Sequence, residues 1–157
     1  MNDNIMRRLE IEREQIFNMR RDGLLEIEEI EPLRGYSVTL RNILTYVKTP
    51  EPVLSEGPHI FDICVPSGYP RDESPIVSFR SFPPCHPNIY KSGNICLGSW
   101  SPAETLKSLI LRVIRLTLLE KRTFNFSSPA DTDAAAFVKK CGTLPDISFS
   151  ELFGDII

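Results

Sequence analysis

The sequence predicts an α+β fold, a four-stranded antiparallel sheet packed on one buried helix with further helices at both ends of the chain. Two patterns carry that expectation. Segments alternating apolar and polar residues cluster in the first half, and a dense 3.6-period apolar stripe follows them from Thr105 to Leu119. No repeat, low-complexity tract or linker divides the 157 residues, so a single domain over 1–157 is expected.

Asn4 to Arg21 lacks Gly and Pro and sets Ile5, Leu9 and Ile16 on one side, with Asp3 as candidate N-cap, so a surface helix is expected there. Leu24 to Ile30, Tyr36 to Leu44 and His59 to Val65 have strand periodicity, clearest in Phe61, Ile63 and Val65 against Asp62 and Cys64. Gly35 and Gly57-Pro58 punctuate them, and Ile76 to Phe79 supplies the fourth strand. In Thr105 to Leu119, the stripe Leu106, Leu109, Ile110, Val113 and Ile114 is flanked by Leu111, Leu116 and Leu118, which implies a largely buried helix. Ser101-Pro102-Ala103-Glu104 looks like its capping box, with Ser101 as N-cap. A similar signal at Ser128-Pro129-Ala130-Asp131 precedes a helix from Asp133 to Cys141, stopped by Gly142. The last stretch, Thr143 to Ile157, carries Leu144, Ile147, Phe149, Leu152 and Phe153 and should dock on the domain or on another chain.

A formal charge of -3 argues against nucleic acid as a partner. No apolar run approaches the roughly 18 residues that span a bilayer, so no membrane association and a cytoplasmic location are expected. Cys64, Cys85, Cys96 and Cys141 form no C-x-x-C pair, and His59 and His86 are the only histidines, so neither a structural metal nor a cofactor is expected. Reduced cytosolic thiols also make a disulfide framework a poor reading. At most one cysteine should be special.

That cysteine is Cys96, which closes a proline- and glycine-shaped segment just before the buried helix. A thiol is a few per cent thiolate at neutral pH and intrinsically nucleophilic, so it exchanges thioesters without a strong dedicated base. His86-Pro87-Asn88, followed by Gly93, Ile95 and Cys96, resembles the signature of ubiquitin-conjugating enzymes. Tyr69-Pro70 with Ser74-Pro75 and Phe79, and Trp100-Ser101-Pro102, resemble that family's flanking stretches.

The resemblance implies the UBC-like arrangement of the elements above and a protein that accepts ubiquitin or a ubiquitin-like modifier on Cys96 from an activating enzyme. An amine of a target would then displace it, with or without a ligase. It assigns Asn88 either an oxyanion-donor role or that of bracing the loop, and makes His86 a loop-bonding residue rather than a general base. It places Ser128 where family members orient the attacking lysine, a position equally suited to a plain N-cap. It sets Arg7 and Arg8 of the first helix against the activating enzyme, and Arg71, Pro102 and Ala103 against a ligase. Arg71 departs from the large apolar side chain that many members with RING-type ligases carry. The short Leu97-Gly98-Ser99 stretch departs from common eukaryotic members and resembles conjugating enzymes of bacterial ubiquitin-like operons.

The other cysteines have plainer readings. Cys64 in a strand and Cys141 at helical spacing from Phe137 are expected to be packed, Cys85 to be a neighbour of the motif without chemistry, and Trp100 to be a loop anchor. Two other functions compete: a non-catalytic module of the same fold, and a cysteine hydrolase pairing Cys96 with His86.

Overall fold

The computed structural model describes residues 2–141 and 149–156. The first helix, α1 (Asp3–Phe17), starts one residue earlier than expected. Its N-cap is Asn2, whose side chain accepts from the Asn4 N–H at 2.9 Å. It ends at Phe17, short of Arg21. Leu9 and Ile16 are fully buried beneath it.

Strands β1 (Leu25–Glu31), β2 (Gly35–Leu40), β5 (His59–Cys64) and β6 (Ile76–Phe79) form an antiparallel sheet in the order β1-β2-β5-β6. Its register aligns Ile27, Val38, Phe61 and Phe79 in one row across the sheet. All four are buried. Period two makes this row possible, since every second residue of each strand reaches the same face.

The expected strand from Tyr36 to Leu44 breaks after Leu40, because Asn42 takes a left-handed φ of 59°. The chain then makes an unexpected two-stranded hairpin, β3 (Thr45–Lys48) with β4 (Pro52–Ser55). The prolines at 50 and 52 mimic a loop in the sequence. In the fold Pro50 sits in the turn and Pro52 begins an exposed edge strand, two places where a missing N–H costs nothing.

Helix α2 (Leu106–Thr117) lies against the core with Leu106, Leu109, Ile110, Val113 and Ile114 all fully buried. Each such side chain contributes about 1.5–3 kcal/mol. Its N-cap is Thr105 and not Ser101. The Thr105 hydroxyl accepts from the Ser108 N–H and the Ser108 hydroxyl accepts from the Thr105 N–H, both at 3.1 Å. Ser101 to Glu104 is a separate turn, closed by the Glu104 N–H on the Ser101 carbonyl at 2.9 Å.

A 3-10 turn (Lys121–Thr123) leads to α3 (Thr132–Lys140), capped by Asp131 rather than Ser128. The stop expected at Gly142 and the side chains of Leu144 and Ile147 fall outside the described residues. The short α4 (Phe149–Phe153) docks on the domain itself, with Phe149, Phe153 and Ile156 buried in the common core. Arg115 of α2 lies 3.7 Å from the Phe149 ring centroid, and Arg21 pairs with Asp155 at 3.0 Å.

Candidate active site

The segment from Asn88 to Cys96 is a tight hairpin laid on the edge of β6. Ile89 bridges Ile95, and the Cys96 N–H donates to the Asn88 carbonyl at 3.0 Å. Gly93 turns the hairpin at φ 99° and holds it to β6, where the Phe79 N–H reaches the Gly93 carbonyl at 2.9 Å. A Cβ at Gly93 would lie 2.6 Å from the Phe79 carbonyl oxygen, so only glycine fits this approach.

Cys96 follows the last ladder bond and is exposed. Its successor Leu97 is buried, with its carbonyl held by Arg112 of α2, so the thiol is presented on a backbone fixed from both sides. Cys64 is also exposed, against the expectation of a packed side chain, because the β5 alternation turns it outward. Cys141 is half-buried. Cys85 is sealed from solvent, and burial pushes its thiol up to about 12, which leaves it un-ionised at neutral pH.

His86 is fully buried with both ring nitrogens occupied. Nδ1 accepts the Asn88 N–H at 3.0 Å, and Nε2 lies 2.8 Å from the Thr123 hydroxyl, which itself donates to the Glu120 carbonyl at 2.6 Å. That chain fixes the tautomer with the proton on Nε2. Burial, and then the neighbouring Lys48 charge, lower the ring to about 3, so it stays neutral. A ring committed in this way has no nitrogen left to act as a general base, so of the two readings of His86 the geometry favours the brace for the loop over the catalyst.

Asn88 is clamped to a segment that sequence reasoning did not connect to it. Its Oδ1 accepts the Asn125 N–H at 2.9 Å, and Nδ2 donates to the Asn125 carbonyl at 3.0 Å. An amide nitrogen carries two hydrogens, so one Nδ2–H is left beyond this brace. The Ala130 and Asp131 N–H groups donate to the Pro87 carbonyl at 2.8 and 3.0 Å. Ser128 therefore stands, exposed, on the strap that docks against the same loop, and the plain-cap alternative for it is removed by Asp131.

The residues expected to meet partners gather around α1 and the start of α2. Arg8 is turned inward, where its guanidinium donates to the carbonyls of Pro102 at 2.6 Å and Glu104 at 2.7 Å and stacks over the Tyr69 ring. Buried Glu12 accepts from the Tyr69 hydroxyl at 2.7 Å and from the Leu106 N–H at 2.8 Å, which ties α1 to the first turn of α2. Arg7, Arg71, Pro102 and Ala103 are exposed. Trp100 packs at 6.1 Å from the Tyr69 ring, as a loop anchor should.

A cleft of about 790 Å³ lies between the β3–β4 hairpin and α3, lined among others by Pro50, Phe82, Cys85, Asp131 and Phe137. Cys96 does not line it, which suits a nucleophile that serves protein-sized partners on an open surface. Among the described residues no group of three or more His, Cys, Asp and Glu is placed to hold a metal ion, and no helix is long and apolar enough to cross a membrane.

Residues 34–143 match the family model described as ubiquitin-conjugating enzyme. A probable ubiquitin-conjugating enzyme E2 W of Dictyostelium discoideum is 48% identical over 54 residues, covering 32% of this chain and 36% of that protein. A probable ubiquitin-conjugating enzyme E2 16 of Arabidopsis thaliana is 34% identical over 105 residues, covering 64% and 62%. The chain thus spans less than two thirds of either relative's length. A ubiquitin conjugating enzyme E2 from Plasmodium vivax superposes with a TM-score of 0.55 at 23% identity, over 70% of this chain and 98% of that one. Human ubiquitin-conjugating enzyme E2 G1 does so at 0.54 and 20%, over 69% and 90%. At those identities the two structures speak for the fold alone.

Proposed function

Because the chain belongs to the ubiquitin-conjugating enzyme family, we propose that it carries ubiquitin or a ubiquitin-like protein as a thioester on Cys96 and delivers it to an amine. The observation that supports this most is the exposed Cys96 at the end of a hairpin whose backbone is held by β6, Asn88 and α2.

In the first step the Cys96 thiolate attacks the carbonyl of a modifier held as a thioester on an activating enzyme. A new S–C bond forms and the activating enzyme's thiolate leaves. In the second step an amine, such as a target lysine, attacks that carbonyl; an N–C bond forms, the C–S bond breaks, and Cys96 leaves as thiolate. The amine's proton passes to solvent or to a neighbouring acceptor. Asn88 donates its remaining Nδ2–H to the oxygen that becomes negative, a contribution typically worth about 2.7–4 kcal/mol. Ser128 orients the incoming amine by accepting a hydrogen bond, since a hydroxyl is a poor base.

The partners implied are the modifier, the activating enzyme, a target and a ligase, with the cytoplasm as the compartment that keeps Cys96 reduced. Arg7 is the first-helix cation left exposed for the activating enzyme, and Arg71 with Pro102 and Ala103 offers the ligase surface. The hydrolase reading loses its support, because neither nitrogen of His86 is free to take the Cys96 proton.

Incubation with activating enzyme, modifier and ATP is expected to add the modifier's mass in a form that thiols reverse. Cys96→Ser should give an adduct that thiols leave intact, or none. A thiol-reversible adduct of unchanged yield on Cys96→Ser would reject the assignment.

A further inference from the structure

A lysine and an aspartate from distant parts of the chain meet directly beneath the loop that carries Asn88. Lys48, the last residue of β3, is buried, and its Nζ lies 3.0 Å from Oδ2 of Asp131, whose side chain is 2% exposed. The same ammonium donates to the Ile89 carbonyl and, at 3.3 Å, to the His86 carbonyl. These carbonyls flank Pro87 and Asn88 on either side. An ammonium has three hydrogens, and all three have an acceptor here.

The aspartate is equally committed. Its other oxygen, Oδ1, accepts from the Asp133 and Ala134 N–H groups at 3.0 and 3.1 Å as the cap of α3, while its own N–H holds Pro87. β3 is itself stitched to the approach of the loop, through the Lys48 N–H on the Pro83 carbonyl at 2.9 Å and the Cys85 N–H on the Tyr46 carbonyl at 2.8 Å. One buried ion pair thus joins β3, the His86–Ile89 turn and the start of α3. Removing two charges from water costs several kcal/mol per ion, and an apolar pair of similar volume often serves stability as well or better. Stability alone therefore does not account for an ion pair at this place, and its aim at two carbonyls of the catalytic turn points to positioning.

We propose that Lys48, held by Asp131, is a positioning residue that sets the Asn88 amide against the Cys96 thioester. This deepens the reading of Cys96 as a thioester carrier and rests on it. Accepting the modifier needs an exposed thiol, which Lys48 does not touch. Passing it on needs the amide in register, which Lys48 governs through the peptides on both sides. Loss of Lys48 therefore separates the two half-reactions.

The test charges the full chain using activating enzyme, modifier and ATP, quenches charging, and follows single-turnover discharge to free lysine over a range of lysine concentrations. Lys48→Met is expected to charge within about threefold of wild type. Its maximal discharge rate should fall at least tenfold, with half-saturation in lysine changed less than twofold. Lys48→Arg should recover part of that rate, because a guanidinium also donates to carbonyls and pairs with Asp131. Lys48→Met leaves Asp131 buried and uncompensated, so the combination with Asp131→Asn, which keeps an N-cap side chain, is measured beside it. A folded double variant, judged by its melting transition, is expected to show the same slow discharge and normal charging. Wild-type discharge by either folded variant, or equal losses in charging and discharge, overturns the proposal. Failure of the wild type to charge would instead count against the thioester reading itself.

Discussion

The buried histidine of the turn that carries Asn88 gives the most direct consequence at the scale of single residues. The His86 ring takes a proton only at about 3 in the folded protein, whereas an unfolded histidine does so near 6.5. Between those values the unfolded chain binds more protons, so the stability tied to neutral His86 is complete above about pH 6.5 and is lost as pH falls toward 3. At about 1.4 kcal/mol per pH unit, ~2 kcal/mol is gone by pH 5. His59, also lowered by burial, acts in the same direction. The thermal midpoint is thus expected to drop between pH 7 and 5, and His86→Gln to flatten that slope. An unaltered slope in the variant would show that His86 does not titrate as its surroundings dictate. Asn88 allows a second, kinetic test. Asn88→Asp keeps an oxygen to accept the Asn125 N–H but has no amide hydrogen, so discharge from Cys96 should slow by about 10²-fold, with charging retained. Discharge at the wild-type rate in a single-turnover assay would reduce Asn88 to a brace.

At the scale of elements, the two cap assignments make a paired prediction. Thr105 carries the capping box of α2, so Thr105→Ala should cost about 1 kcal/mol in urea unfolding, whereas Ser101→Ala, in an exposed turn, should change it by less than about 0.5 kcal/mol. The sequence signal misled here because Ser-Pro-Ala-Glu satisfies every local rule for a helix start. What decides is Glu12, whose carboxylate accepts the Leu106 N–H and so fixes where the first turn begins. The same physics accounts for the other discrepancies. The periodic strands and the stripe of α2 were legible because one face of each is buried in a single core. The β3–β4 hairpin was not, because Thr49-Pro50-Glu51-Pro52 has the composition of a loop and β4 is exposed along its length. Cys96, His86 and Asn88 stood out because they lie within one short segment that resembles the signature of ubiquitin-conjugating enzymes. Lys48, Thr123, Asn125 and Asp131 did not, since each reaches the site through a contact with a residue far away in the sequence, which only tertiary folding brings near.

For the molecule as a whole, the C-terminal segment closes the same core that holds α2 against the sheet. Phe153 is fully buried, Phe149 and Ile156 nearly so, and they share one cluster with Ile16, Leu25 and Val113. Arg21 and Arg115 secure the segment from two different elements through Asp155 and the Phe149 ring. Phe149 and Phe153, two of the side chains too hydrophobic for a solvated tail, are therefore part of the fold's own interior. Truncating one of them should act as a core deletion. Phe153→Ala is expected to cost about 3–5 kcal/mol in urea unfolding, the range for a buried aromatic replaced by a cavity. The loss distinguishes an intramolecular dock from an intermolecular one through its concentration dependence. A segment packed on its own domain gives the same unfolding midpoint at 1 and 100 times a starting concentration on the order of 1 μM, whereas one exchanged between chains gives a midpoint that climbs with concentration. Invariance is expected for wild type and variant alike, and a rising wild-type midpoint would mean that α4 is supplied by a second copy.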